Sequence, residues 1–121
     1  MNKKELRKTF RNSVFKRDKF CCKKCNKPGK DKNYENSCKS FHKPNLNLVY
    51  LDAHHITDRS EIANQGYVIE NGISLCSDCH LLAEQYHLNK GEKWADGFHP
   101  NDLYMLIQSS KEKAISASEL L

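Results

Sequence analysis

Apolar residues recur at helical spacing near the N-terminus. Between Lys4 and Asp18 they are Leu6, Phe10, Val14 and Phe15, which predicts an amphipathic helix with a basic outer face. The periodicity then stops. "FCCKKCNKPGK" is a cysteine knuckle closed by Pro28-Gly29, and residues 30–45 are polar without a period, as in an inserted loop. "LNLVYLDAHHI" turns to β-branched and apolar residues and predicts a strand ending near the histidines. "TDRSEIANQG" reads as a loop with room for one helical turn. In "YVIENGISLC" two short apolar runs flank Asn71-Gly72, a pair favoured in a tight hairpin turn. "SDCHLLAEQYHL" predicts a helix with Ser77 as its N-cap. "HPNDLYMLI" and "SSKEKAISASELL" predict two more short helices, the second opened by a Ser109-x-x-Glu112 capping box. With no repeat and no second hydrophobic pattern, residues 1–121 read as one α+β domain.

Such a chain can build a modest core, in the size range where a metal or disulfide often helps. No apolar run approaches the length of a membrane span, and the charged N-terminal segment lacks the apolar stretch of a signal peptide. These features predict a soluble cytoplasmic protein, where six cysteines serve as ligands or free thiols rather than disulfides. The net charge of +5 is unevenly spread: residues 1–32 hold thirteen Lys/Arg against three Asp/Glu, the rest seven against twelve. A basic block on a mildly acidic body suits a polyanionic partner, nucleic acid first. A lysine-rich helix that merely aids solubility has the same composition.

The cysteines sharpen the picture. Cys22-x-x-Cys25 and Cys76-x-x-Cys79 are two knuckles, and a two-residue spacer lets both thiolates of each reach one tetrahedral zinc. A closed four-cysteine site has no open position for substrate, so it is structural. It would tie the N-terminal third of the chain to its C-terminal half. Cys21 and Cys38 fall outside this spacing and read as free thiols.

His54 and His55 stand side by side at the end of the predicted strand, where neighbours point to opposite faces and grip one metal poorly together. His80 opens the following helix, with Glu84 and His87 on roughly the same face. Strand, second strand and helix could bring His54, His80 and either Glu84 or His87 around one metal.

Taken together, "AHHI", "ENGISLC" and "CSDCH" resemble the HNH endonucleases, the zinc-knuckle branch of the His-Me finger (ββα-metal) nucleases. "RNSVFKRDKFCCKKC" is similar to what precedes the first knuckle in that family, so the resemblance spans about residues 11–87. It implies a basic N-terminal helix over 1–20, a zinc-stapled ββα-metal core over 22–88 and a helical extension over 89–121. By position, His54 and His80 would hold a catalytic divalent metal, His55 would be the general base, and Asn71 the middle letter of the family name. The neighbouring histidines would then point apart because their tasks differ. Many members have a histidine where this chain has Glu84, a carboxylate that suits Mg²⁺ or Mn²⁺, with Zn²⁺ or Ni²⁺ as alternatives.

The implied activity is hydrolysis of phosphodiester bonds in DNA, leaving 5′-phosphate and 3′-hydroxyl ends. An RNA endonuclease of the same fold, or a non-catalytic zinc module that binds nucleic acid, are the alternatives. Small proteins resembling this family are common in phages. Asn71 in this setting either contacts the metal or braces the loop, and bracing is the expectation. Arg59, in the loop after the histidines, could clamp a phosphate, and an ordinary surface arginine fits the position at least as well. Lys3, Lys4, Lys8, Arg11, Lys16, Lys23 and Lys24 are candidates for backbone phosphate contacts, which do not read sequence. Trp94, Phe98 and Tyr104 are expected to pack on the core.

Overall fold

In a computed structural model, residues 2–31 and 48–121 are described; most of the polar inserted stretch, Cys38 included, lies outside the described residues. The first helix, α1, spans Lys3–Arg17. The Asn2 side chain accepts a hydrogen bond from the Glu5 amide at 2.9 Å and so satisfies one orphan donor. Lys16 and Arg17 fall in the last turn, where the helix dipole favours positive charge. Phe10, Val14 and Phe15 are buried, as their spacing predicts.

Three strands follow in the order β1 (Gly29–Lys30), β2 (Val49–His55) and β3 (Gly72–Cys76). β2 is central, parallel to β1 and antiparallel to β3, with His54 opposite Ile73 and His55 opposite Gly72. β1 pairs only with Val49 and Tyr50, so it flanks just the start of β2. The alternation of β2 sends Leu51 and His55 toward α1, and His54 toward the helix that follows β3.

The hairpin expected at Asn71-Gly72 does not form. Residues 56–71 separate the two long strands, and Val68 and Ile69 belong to this connection rather than to a strand. The physical reason is tertiary. Gly72 lies in extended backbone against α1, where an added Cβ would sit 2.5 Å from Val14 and 2.7 Å from Phe10. The residue is needed for close approach, not for turning.

Helix α2 covers Ser77–Leu88, with Cys76 rather than Ser77 at the N-cap position. The cap makes no side-chain hydrogen bond, because the thiol of Cys76 is turned toward other cysteines. α3 (Pro100–Leu106) and α4 (Lys111–Glu119) complete the chain. The cap of α4 is Ser110, which accepts from the Lys113 amide; Ser109 instead donates to the Glu70 carbonyl at 2.9 Å. The main core joins Phe15, Leu51, Ile73, Leu75, Ala83, Leu103 and Ala114, drawn from every helix and both long strands. Phe98 and Tyr104 pack into it as expected, whereas Trp94 is half exposed and leans on Tyr86 and His99. Among the described residues the fold is thus small α+β, with a three-stranded sheet and four α-helices. No helix among the described residues is long and apolar enough to cross a membrane.

Candidate metal centres and the cleft beside them

Cys22, Cys25, Cys76 and Cys79 converge, with their sulfurs all within 4.8 Å of one another. One knuckle follows α1; the other spans the junction of β3 and α2. A tetrahedral zinc with bonds of about 2.3 Å requires sulfurs about 3.8 Å apart, and Cys25 and Cys76 stand at 3.7 Å. The donor set and spacing therefore fit a structural zinc. Burial and neighbouring thiols push the Cys79 thiol well above its usual range, and the same two causes raise Cys25. Cys22 moves the other way: backbone amides, that of Cys25 at 3.5 Å among them, outweigh its burial and stabilise a thiolate. A cation would replace the protons that the crowded thiols otherwise retain. Cys21 stands outside the cluster, its sulfur 3.5 Å from the Lys19 carbonyl.

A second group consists of His54, His80 and Glu84, again with ligand atoms within 4.8 Å of one another. One carboxylate oxygen, Oε1 of Glu84, lies 3.1 Å from Nδ1 of His54 and 3.2 Å from Nε2 of His80. His54 is almost wholly buried, with its Nδ1 paired to this carboxylate oxygen. The other nitrogen of His80 is held by Asp52 Oδ2 at 3.2 Å. This carboxylate–imidazole pair fixes the ring, as outer partners of metal-binding histidines do. Hydrogen bonds to Asp52 and Glu84 push His80 up to about 9, so a proton sits where a cation could. Glu84 is held far below the usual carboxylate range by His54 and then His80, while burial keeps His54 neutral. Three donors, one of them a carboxylate, fit a divalent cation.

His55 leaves the opposite face of β2. Its ring stacks on Phe10, centroids 4.6 Å apart, and meets the Tyr67 edge at 4.8 Å. Nε2 is buried and bonded to no protein group. Burial first, and the Arg59 charge second, lower its pKa to about 4. The ring lines a cleft of about 340 Å³ that runs beside β2, past the reach of β1. Arg7, Arg11, Arg59, Asp52 and His80 also line it. His80 therefore belongs both to the histidine–glutamate group and to the cleft that holds His55.

Asn71 is fully buried within the loop that follows His55. Its Oδ1 accepts from the Thr57 amide at 2.9 Å and from the Tyr104 hydroxyl at 2.7 Å. Its Nδ2 donates to the carbonyls of Thr57 and Gly66 at 3.1 and 3.2 Å. That uses the full capacity of an amide side chain and leaves nothing for a metal. Asn71 ties the start of the connection to its end.

Among the other candidates, His87 is not in either metal group; its Nε2 is 3.0 Å from the His55 carbonyl. Lys24 is engaged internally, donating to the Gly97 carbonyl at 2.8 Å and lying over the Phe98 ring. Lys3, Lys4, Lys8 and Lys16 are exposed along α1. Four positions of evident structural weight had no role in the sequence reading. Asp52 orients His80, and its signal was available, since it shares a strand face with His54 two residues on. Arg17 and Asp18 pair at the end of α1; the arginine also donates to the carbonyls of Ile69 and Gly72, and the aspartate accepts the Ser74 amide. Tyr67 meets His55, a contact no local pattern announces. Comparison with family models, with curated proteins and with solved structures finds no match to this chain.

Proposed function

We propose that this chain is a metal-dependent endonuclease of the HNH kind, built on a ββα-metal core of β2, β3 and α2, that hydrolyses phosphodiester bonds in DNA. The observation carrying the reading is the division between the neighbours on β2. His54 turns into the group formed with His80 and Glu84, His55 turns into an arginine-lined cleft, and His80 borders both. The residues His54, His80 and Glu84 would hold Mg²⁺ or Mn²⁺. A bound divalent cation supplies positive charge for phosphate oxygens that become more negative as the bond breaks.

His55 is the general base in this reading. It is neutral at physiological pH, and its Nε2 has no protein partner to displace. A phosphate drawn to Arg59 would offset one of the causes that depress the ring's basicity. Asp52 keeps the His80 ring turned to the metal group. Asn71 acts at one remove, holding Thr57 and hence the chain just after the base. The basic outer face of α1 would follow the nucleic-acid backbone by charge without reading sequence.

The test is cleavage of supercoiled plasmid in Mg²⁺ or Mn²⁺, in chelator, and with His80→Ala. The parent chain should nick or linearise the plasmid only with metal. His80→Ala should need at least about tenfold more Mn²⁺ for the same rate, as loss of a ligand weakens the site. Plasmid left intact at every metal concentration would sink the DNA-nuclease reading. DNA still bound in that case would turn attention to an RNA target or a non-catalytic zinc module.

A further inference from the structure

We infer that Arg7, Arg59 and the Tyr67 hydroxyl form one anion site that holds a nucleic-acid phosphate against the His55 side of the cleft. The inference deepens the proposed function and rests on that reading for the identity of the anion. The Tyr67 oxygen accepts from Arg7 Nε at 3.2 Å and from Arg59 Nη1 at 3.1 Å. Among the described residues, neither guanidinium has a carboxylate within ion-pair distance. Two full positive charges therefore converge on one neutral oxygen beside a cleft. Exposed guanidiniums gathered in this way present a fork of donors that matches a phosphate. Arg11, one helical turn beyond Arg7, lines the same cleft and adds a third charge.

Tyr67 is the organiser of this site, a positioning residue rather than a catalytic one. Its hydroxyl gathers the two arginines, which arrive from α1 and from the loop after His55, while its ring edge rests on the imidazole. Hydrogen bonds from Arg59 and Arg7 outweigh its burial and pull the phenol below its usual range. The backbone leading to it is strained. Asn64 and Gln65 adopt left-handed φ of 52° and 62°, followed by Gly66 at 65°. Non-glycine residues hold such values only where the surroundings impose them. Here Asn64 donates to the Ser118 carbonyl of α4 at 2.8 Å, and Asn71 grips the Gly66 carbonyl. The C-terminal helices thus fix the turn that aims Tyr67 at the base.

The test is DNA binding measured by fluorescence anisotropy in chelator, where nothing is cut, over a series of salt concentrations. The chains compared are the parent, Arg7→Ala, Arg59→Ala, Tyr67→Phe, the double arginine variant with and without Tyr67→Phe and, as a control, Lys113→Ala on the exposed surface of α4. Each arginine variant should bind on the order of tenfold more weakly and flatten the dependence of log Kd on log salt by about one. Tyr67→Phe keeps the ring and both charges. It should weaken binding several-fold with the salt slope unchanged, and add little to the double arginine variant. The site is overturned if both arginine variants bind like the parent, or if Lys113→Ala loses as much as Arg7→Ala. Because cleavage is not read, the two ideas fail separately. A chain that binds through these arginines yet never cuts defeats the nuclease reading alone; one that cuts while its arginine variants bind normally defeats the anion site alone.

Discussion

Cys76→Ser should leave the chain largely unfolded at temperatures where the parent is native. The substitution removes one of four converging thiols from a buried position at the start of α2. Structural zinc contributes about 10–16 kcal/mol of binding free energy in small metal-folded peptides, which is also folding free energy. A domain of this size is stable by only about 5–15 kcal/mol, so forfeiting even a quarter of the metal term is decisive. The melting temperature should fall by on the order of 15 °C or more, with bound zinc dropping below one equivalent per chain. The fall reaches beyond the cluster itself, because the second knuckle is continuous with the turn that presents His80. Circular dichroism melts and zinc content decide the matter. A Cys76→Ser chain that melts like the parent with its zinc retained would show the four-thiolate site to be misassigned.

His55→Ala should reduce cleavage on the order of 10³-fold, within the range that general-base catalysis contributes. Its zinc content should equal the parent's. The ring is packed between Phe10 and Tyr67, so its loss leaves a cavity and lowers stability by about 1–2 kcal/mol without unfolding the chain. That cavity offers a second readout. Free imidazole added to the variant has a flat slot of the right chemistry, and it should restore part of the lost rate. Equal cutting by parent and variant would point to a contaminating nuclease or to another base. A lost rate that imidazole leaves untouched, in a variant that melts well below the parent, would make His55 a packing residue instead.

The parts of this architecture legible in the sequence are those whose cause is local. Leu6, Phe10, Val14 and Phe15 announce α1 because helical spacing alone places them on one face. The two cysteine knuckles announce each other because the same two-residue spacer occurs twice. The opposed directions of His54 and His55 follow from the pleat of any strand. What stayed hidden depends on partners distant in sequence. β1 is two residues of no distinctive composition, a strand only because Val49 and Tyr50 lie beside it. Arg17 and Asp18 look like ordinary surface charges until the carbonyls of Ile69 and Gly72 and the amide of Ser74 appear opposite them. Asn71-Gly72 misleads for the same reason: its turn chemistry is real, but tertiary packing has claimed both residues for other work. Glu84 rather than His87 joins the histidines because His87 is drawn to the His55 carbonyl.

That same Asn71-Gly72 pair sets the ageing behaviour of the molecule. An asparagine before glycine is the peptide linkage most prone to deamidation, since the unhindered glycine nitrogen readily attacks the side-chain amide to give a succinimide. In the folded chain the Asn71 amide is immobilised by its four hydrogen bonds, and Gly72 is fixed in a strand against α1. Native structure therefore shields its own weakest point, and the reaction proceeds only through molecules that have opened. Each such event would replace the amide with a carboxylate that no partner in this buried pocket can neutralise, so the damaged chain cannot regain the same loop. Conditions that loosen the fold, zinc chelation above all, should accumulate deamidation at residue 71 well ahead of the other asparagines, as peptide mapping by mass spectrometry would show. Parent protein incubated with zinc should stay intact over the same period; deamidation at equal rates with and without chelator would mean that the fold gives this bond no protection.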